Sequence, residues 1–203
     1  MSAPSKLDPV VRRVIGEHGP IVRTTQLLAA GVHPRTLYRL RNRGQLEAVG
    51  RGLFRLPTAP LPAHFDLLVV ARRAPHAVIC LVSALAFHGL TDEVPHEVSI
   101  AIPRNGGAPT VDTIPMRVFR FSEAMYQLGV EHHRVGDIDL KVYSPTKSII
   151  DAFRFRNRIG EDVAIAALAA GLRTRKARPG PLLDLAGKLR ARNIITPYLK
   201  ALA

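Results

Sequence analysis

The sequence predicts an α+β protein: an N-terminal winged helix-turn-helix, then a mixed α+β C-terminal domain with its helices gathered at the C-terminal end. Three observations carry this. Residues 24–56, TTQLLAAGVHPRTLYRLRNRGQLEAVGRGLFRL, read as two short helices joined by a glycine turn and followed by a hairpin. Residues 57–64, PTAPLPAH, place three prolines in eight positions, a stiff linker that sets domains at 1–58 and 63–203. Beyond it, alternating apolar runs precede a helical tail, and a hydrophobic fraction of 47% is ample for packed cores.

In the first domain, Asp8-Pro9 opens a helix to about Glu17, with Asp8 as cap and Val10, Val11, Val14 and Ile15 as its apolar face. Gly19-Pro20 ends it, and Ile21-Val22 can add a short strand to the wing. Thr24 is expected to cap the helix Thr25–Ala30; Gly31-Val32 turns the chain. Pro34 fits the first position of the next helix, which runs to about Asn42 and has two faces. Arg35, Arg39 and Arg43 recur every four residues as a basic stripe, with Thr36, Tyr38 and Asn42 beside it, while Leu37 and Leu40 point to a core. Gly44 stops this helix. Leu46–Leu56 then forms a hairpin broken at Gly50-Arg51-Gly52. In this arrangement the stripe lies in a major groove, and Arg51 and Arg55 on the wing reach backbone or minor groove. A basic stripe can also be a solvated helix face; the order of turn, helix and wing favours duplex DNA.

The second domain is expected to open with a helix over Ala63–Arg73. Ala77–Val82 is a strand or a buried helix, and Ser83 caps the short helix ALAFHG. Strands follow at Glu97–Ile102, Met116–Phe121, Gly129–Val135 and Ile138–Tyr143, with a Gly-rich turn at Pro103–Pro109 and a hairpin loop at Gly136-Asp137. Ser144-Pro145 caps a helix with Ile149, Ile150 and Phe153 on its apolar face, followed by Arg154, Arg156 and Arg158. EDVAIAALAAGL is an Ala-rich helix suited to close packing, and RTRKAR (173–178) links it to a helix over Pro181–Arg192.

The net charge of +13 favours polyanionic partners. Residues 1–62 hold ten basic and three acidic side chains, residues 63–146 seven and nine, and residues 147–203 twelve and four, so both ends are basic. The single cysteine, Cys80, sits in AVICLV and reads as a buried, inert thiol. No signal peptide or transmembrane run is visible, so no membrane is expected as a partner and the cytoplasm is the expected location.

Metal-ligand spacing is not found; neighbouring His132 and His133 point to opposite faces of a strand, and His88 sits at a helix end. No cofactor and no enzymatic activity are expected. One alternative is a metal-dependent nuclease built on Asp137-x-Asp139-x-Lys141, where carboxylates hold the metal ion and lysine steadies water. Its upstream acid would have to be Asp112. Against it, Ile138 and Leu140 facing a core would leave these three on a solvent face.

Three stretches, 26–56, CLVSALAFHGLT (80–91) and SPTKSIIDAFR (144–154), resemble the AbiEi-type antitoxins of abortive-infection (type IV) toxin–antitoxin pairs, and with the linker and tail the resemblance spans nearly the whole chain. It implies a phage-defence antitoxin that binds inverted or direct repeats in its own promoter and represses the operon. The operon's other product would be a nucleotidyltransferase-like toxin, counteracted without a stable complex. Arg35, Arg39 and Arg43 then face the groove and Arg51 tips the wing. Arg154, Arg156, Arg158, Arg173, Arg175, Lys176 and Arg178 form a possible second DNA or partner face. Without a partner toxin, the chain would be a stand-alone transcriptional regulator.

Overall fold

The structure, a computed structural model, describes residues 8–202. It divides into two compact units, the first made of residues up to Pro75 with 109–114 and 134–140, the second of the remainder.

The first unit begins with α1 (Pro9–His18), where the Asp8 carboxylate accepts from the Val10 N–H at 2.9 Å. β1 (Val22–Arg23) leads directly into α2 (Thr24–Ala29), then α3 (Pro34–Asn42), β2 (Glu47–Gly50), β3 (Leu53–Arg55) and α4 (Phe65–Arg73). The strands form an antiparallel sheet in the order β1-β3-β2, with Val22 opposite Phe54 and Glu47 opposite Arg55. Val11, Val14, Val22, Leu27, Leu37, Leu40 and Leu46 make its core, the apolar face expected of a helix-turn-helix with its wing. Thr24 is not the cap of α2. It is the first helical residue, and its hydroxyl donates to the Gly52 carbonyl at 3.3 Å; Gln26 instead caps, accepting from the Arg23 N–H at 2.7 Å.

The sequence places α4 in the second domain, whereas the structure packs it with the first unit. The reason is Arg72. Its side chain is 5% exposed and donates to the carbonyls of His18 (3.1 Å) and Ile21 (2.9 and 2.6 Å) and to the Asp137 carboxylate. Asp137 also accepts from Gln26 at 2.7 Å and meets His18 Nδ1 at 2.9 Å. Gly19 (φ 96°) and Gly136 (φ 62°) let the two turns touch: a Cβ on Gly136 would lie 2.7 Å from Gly19 Cα.

The second unit holds β4 (Val78–Ile79), α5 (Leu81–Phe87), β5 (Val98–Pro103), β6 (Met116–Phe121), α6 (Glu123–Gln127), most of β7 (Val130–Val135), the second half of β8 (Ile138–Tyr143), and α7 (Pro145–Arg154), α8 (Arg156–Ile159), α9 (Glu161–Arg173), α10 (Pro179–Lys188) and α11 (Arg192–Leu202). The sheet runs β6-β5-β4-β8-β7, with β5 parallel to β6 and β4 parallel to β8 but antiparallel to β5. Ser83 does not cap α5; it is buried within the helix, accepting from the Ser99 N–H at 2.9 Å and donating to the Glu97 carbonyl at 3.4 Å. Ser144 caps α7 as expected, accepting from the Lys147 N–H at 3.3 Å. Gly171 brings α9 against α7: a Cβ there would lie 2.6 Å from Ile149 Cδ1. The helix expected over Pro181–Arg192 stops at Lys188, and α11 follows it. The stop is Arg190, which takes φ 55° without being glycine.

Along α7, Lys147 and Asp151 face each other as an ion pair with both side chains fully buried. The Lys147 ammonium also lies 4.2 Å from the Tyr143 ring centroid and 4.8 Å from that of Phe121. Burial pushes the Asp151 carboxyl up and the Lys147 ammonium down, each opposed by attraction to the other. Lys147→Ala is expected to lower stability by about 3–5 kcal/mol in urea unfolding, because it strands a buried carboxylate; Lys147→Met with Asp151→Leu should recover most of the loss.

Asp137 differs. Burial alone would raise its carboxyl, but the hydrogen bond and charge of Arg72, with His18 and Gln26, hold it below the usual carboxylate range. A depressed folded-state value means this contribution is complete above the unfolded value of about 4 and is lost as pH falls below it. Asp137→Asn should therefore be less stable at pH 7 yet lose less stability between pH 6 and 3, measured by urea midpoints across that range.

Candidate nucleic-acid interface

The exposed face of α3 is built by its two ends and its turn. His33 Nδ1 accepts from the Arg35 N–H at 3.2 Å, and Pro34 occupies the first helical position, where a missing N–H costs nothing. The α2–α3 turn passes through Gly31 at φ 92°, after which the Val32 N–H donates to the Leu27 carbonyl at 3.0 Å. At the other end Gly44 takes φ 66° and the Gln45 N–H closes onto the Leu40 carbonyl at 2.9 Å. With Leu37 and Leu40 turned into the core, Arg35, Tyr38, Arg39, Asn42 and Arg43 are left exposed. Thr36 is half-buried and stands off this face.

Tyr38 is 62% exposed, a large aromatic ring with no core to fill. The Arg41 guanidinium lies over it, 5.2 Å from the ring centroid. The stripe at every fourth position passed over Arg41; the i, i+3 relation of Tyr38 to Arg41 was its only trace in the sequence. Helix-end arginines are also favoured by the helix dipole alone. Three arginines and an exposed tyrosine on one nine-residue helix, with a fourth arginine at its C-cap, go beyond that.

The wing turn carries Arg51, exposed, and is held to the start of α2 by the Thr24 N–H donating to the Gly52 carbonyl at 2.9 Å. Arg55, expected on the wing's outer face, is turned inward. It is 8% exposed and donates to the carbonyls of Leu56 (3.2 Å), Pro57 (3.2 Å) and Ala59 (3.0 Å), and it pairs with Glu47 at 3.3 Å. Its Nε and Nη2 donors fold the linker back on the wing, and its burial takes the guanidinium off the wing's outer face. Beside the wing turn, Arg23, Thr25, Arg51 and Arg73 line a cleft of about 260 Å³. Arg23 and Arg73 were not singled out in the sequence, since Arg73 falls past the proline linker.

The basic residues of the second unit are not one uniform face. Arg154 is half-buried, bonded to Asp151 at 3.2 Å and to the Met125 sulfur at 3.1 Å. Arg156 donates to the Phe153 carbonyl at 2.9 Å, and Arg158 lies 5.9 Å from the Phe155 ring centroid. Arg173, Arg175, Lys176 and Arg178 are exposed, with Lys176 donating to the His88 carbonyl.

Of the nuclease constellation, Ile138 and Leu140 are buried, as the solvent-face reading requires, and the Asp137 carboxylate is committed to Arg72, His18 and Gln26. Both oxygens of this carboxylate already accept from protein donors, and the Arg72 charge beside it competes with any metal ion for the same site. Burial pushes the Cys80 thiol up, away from nucleophilic use. Among the described residues, no helix is long and apolar enough to cross a membrane.

Residues 10–57 match the family model described as "Transcriptional regulator, AbiEi antitoxin". No curated protein matches the chain. Among solved structures, the crystal structure of the RV2827C protein from Mycobacterium tuberculosis aligns with 90% of this chain and 82% of that one, at 15% identity and a TM-score of 0.48.

Arg55→Ala is expected to lower the thermal melting point, with a loss of about 1–3 kcal/mol from its stranded carbonyl partners. Arg35→Ala, on the exposed face, should leave the melt within about 0.5 kcal/mol of the parent.

Proposed function

We propose that this protein is a DNA-binding transcriptional regulator of the antitoxin kind, which acts in the cytoplasm, represses its own operon and counteracts a nucleotidyltransferase-like toxin without forming a stable complex. The exposed face of α3 carries the DNA-binding part: arginines at 35, 39 and 43 with Tyr38 and Asn42 on a helix capped at both ends. The match to an antitoxin regulator family falls on the same segment, residues 10–57, and supports it.

In this reading α3 enters a major groove. Arginines aligned along it reach guanine edges as two-pronged donors, and Asn42 suits adenine. Arg51 at the wing, with Arg23 and Arg73 beside it, neutralises phosphates and fixes the register without reading sequence. The exposed run Arg173, Arg175, Lys176 and Arg178 meets further DNA or the partner. The repression and the toxin rest on the resemblance of residues 80–91 and 144–154 to that family.

A plain transcriptional regulator is the second reading, favoured by the confinement of the family match to the DNA-binding segment. Co-expression with the neighbouring reading frame separates the two: relief of growth arrest supports an antitoxin, and no toxicity to relieve supports the regulator.

Mobility shifts of the full chain on its own promoter test DNA binding. Arg35→Ala and Arg39→Ala should each cost about 1–3 kcal/mol and relax specificity at particular base pairs. Arg51→Ala should weaken all sequences alike and reduce the slope of log K against log salt by about 0.9. A double variant of Arg35 and Arg39 that binds like the parent would remove α3 as the recognition helix.

A further inference from the structure

A second concave site lies wholly within the second unit, where the corner between α10 and α11 meets α6 and the end of α7. The cleft measures about 760 Å³. Its charged wall is Arg154, Lys188 and Arg190; its apolar wall is Met125, Phe155, Leu189 and Ile194.

Most of this charge has no acidic partner. Lys188 and Arg190 are exposed, and among the described residues neither has an ion-pair partner. Arg154 shares its one carboxylate, Asp151, with the buried Lys147, so its own charge is only partly neutralised. Arg190 sits where glycine would be the ordinary choice. It takes φ 55°, its N–H donates to the Gly187 carbonyl at 3.1 Å, and the Ala191 N–H closes onto the Ala186 carbonyl at 2.8 Å. That is the common glycine-terminated helix end, here carrying an arginine at the cost of backbone strain. Residues held in such conformations concentrate at binding sites. A cation at a helix end is also favoured by the dipole, but that does not account for a hollow with an apolar wall beside it.

We propose that this cleft binds a phosphorylated metabolite of nucleotide size. Lys188 and Arg190 meet the phosphates at the rim, Arg154 meets them from within, and Met125, Phe155, Leu189 and Ile194 cover the uncharged body of the ligand. The volume falls in the range of about 300–1,000 Å³ usual for small-molecule sites. A duplex backbone is the poorer occupant, because a convex row of phosphates would leave the apolar wall without a partner.

Calorimetric titration of the full chain with ATP, GTP, CTP, UTP and pyrophosphate tests this. At least one nucleotide is expected to saturate at one site per chain, with pyrophosphate weaker because it leaves the apolar wall empty. Arg190→Gly should lower that affinity at least tenfold while melting at or above the parent temperature, since glycine suits the left-handed position. Should its melt lose cooperativity, Lys188→Ala replaces it, with the same expected loss of affinity. Arg175→Gly removes an arginine of the same conformation (φ 58°) outside the cleft and should leave nucleotide affinity unchanged. Failure of every nucleotide to saturate at millimolar concentration overturns the proposal. So does equal weakening by Arg190→Gly and Arg175→Gly, which would reduce the effect to general charge. Loss of duplex DNA binding with intact nucleotide binding in Arg190→Gly would assign the cleft to DNA instead.

Discussion

The first unit depends on one buried guanidinium. Arg72 reaches the carbonyls of His18 and Ile21, on either side of the Gly19-Pro20 turn, and ends on the Asp137 carboxylate. Arginine suits the position because its charge cannot be lost by deprotonation and its planar fork satisfies several acceptors at once. The consequences run along the chain. The turn it holds delivers β1 to β3, α2 begins at the next residue, and α3 follows after a short turn. The position of α3 is therefore set partly by a side chain roughly thirty residues beyond it, on a helix past the proline-rich linker.

The second unit has an analogous device of opposite character. Lys147 and Asp151 are one helical turn apart and both fully buried. Such a pair adds little net stability, because removing two charges from water costs about what their attraction returns. What it does is penalise every alternative packing of α7 that would separate them. The aromatic rings of Tyr143 and Phe121 against the ammonium extend that restriction from α7 to β8 and β6.

Charge is used differently in the two units. On α3 and the wing turn the arginines stand out from the surface, with a tyrosine among them, which suits a groove and its phosphates. In the second unit several basic side chains also make internal contacts: Arg154 with Asp151 and Met125, Arg156 with a backbone carbonyl, Lys176 with another. The net charge of each segment is thus a poor guide to the charge it offers a partner.

The sequence by itself determined the elements whose physics is local. The helix over Pro34–Asn42, the strands at 116–121 and 138–143 and the Ser144 cap follow from proline at a first turn, alternation at period two and a hydroxyl at a helix start. The exposed arginine stripe was legible for the same reason, since helical spacing alone puts Arg35, Arg39 and Arg43 together. Tertiary structure decided whatever depended on a distant acceptor. Thr24 and Ser83 looked like caps, but Gly52, Glu97 and Ser99 claimed their hydroxyls. Arg55 looked like a wing contact, but the carbonyls of Leu56, Pro57 and Ala59 turned it inward. The helix stop at Arg190 carried no glycine to announce it, and the proline linker did not divide the chain where composition suggested, because Arg72 found its partners among residues that lie far away in sequence. A side chain's propensity is written beside it in the chain; its hydrogen-bond partner is not.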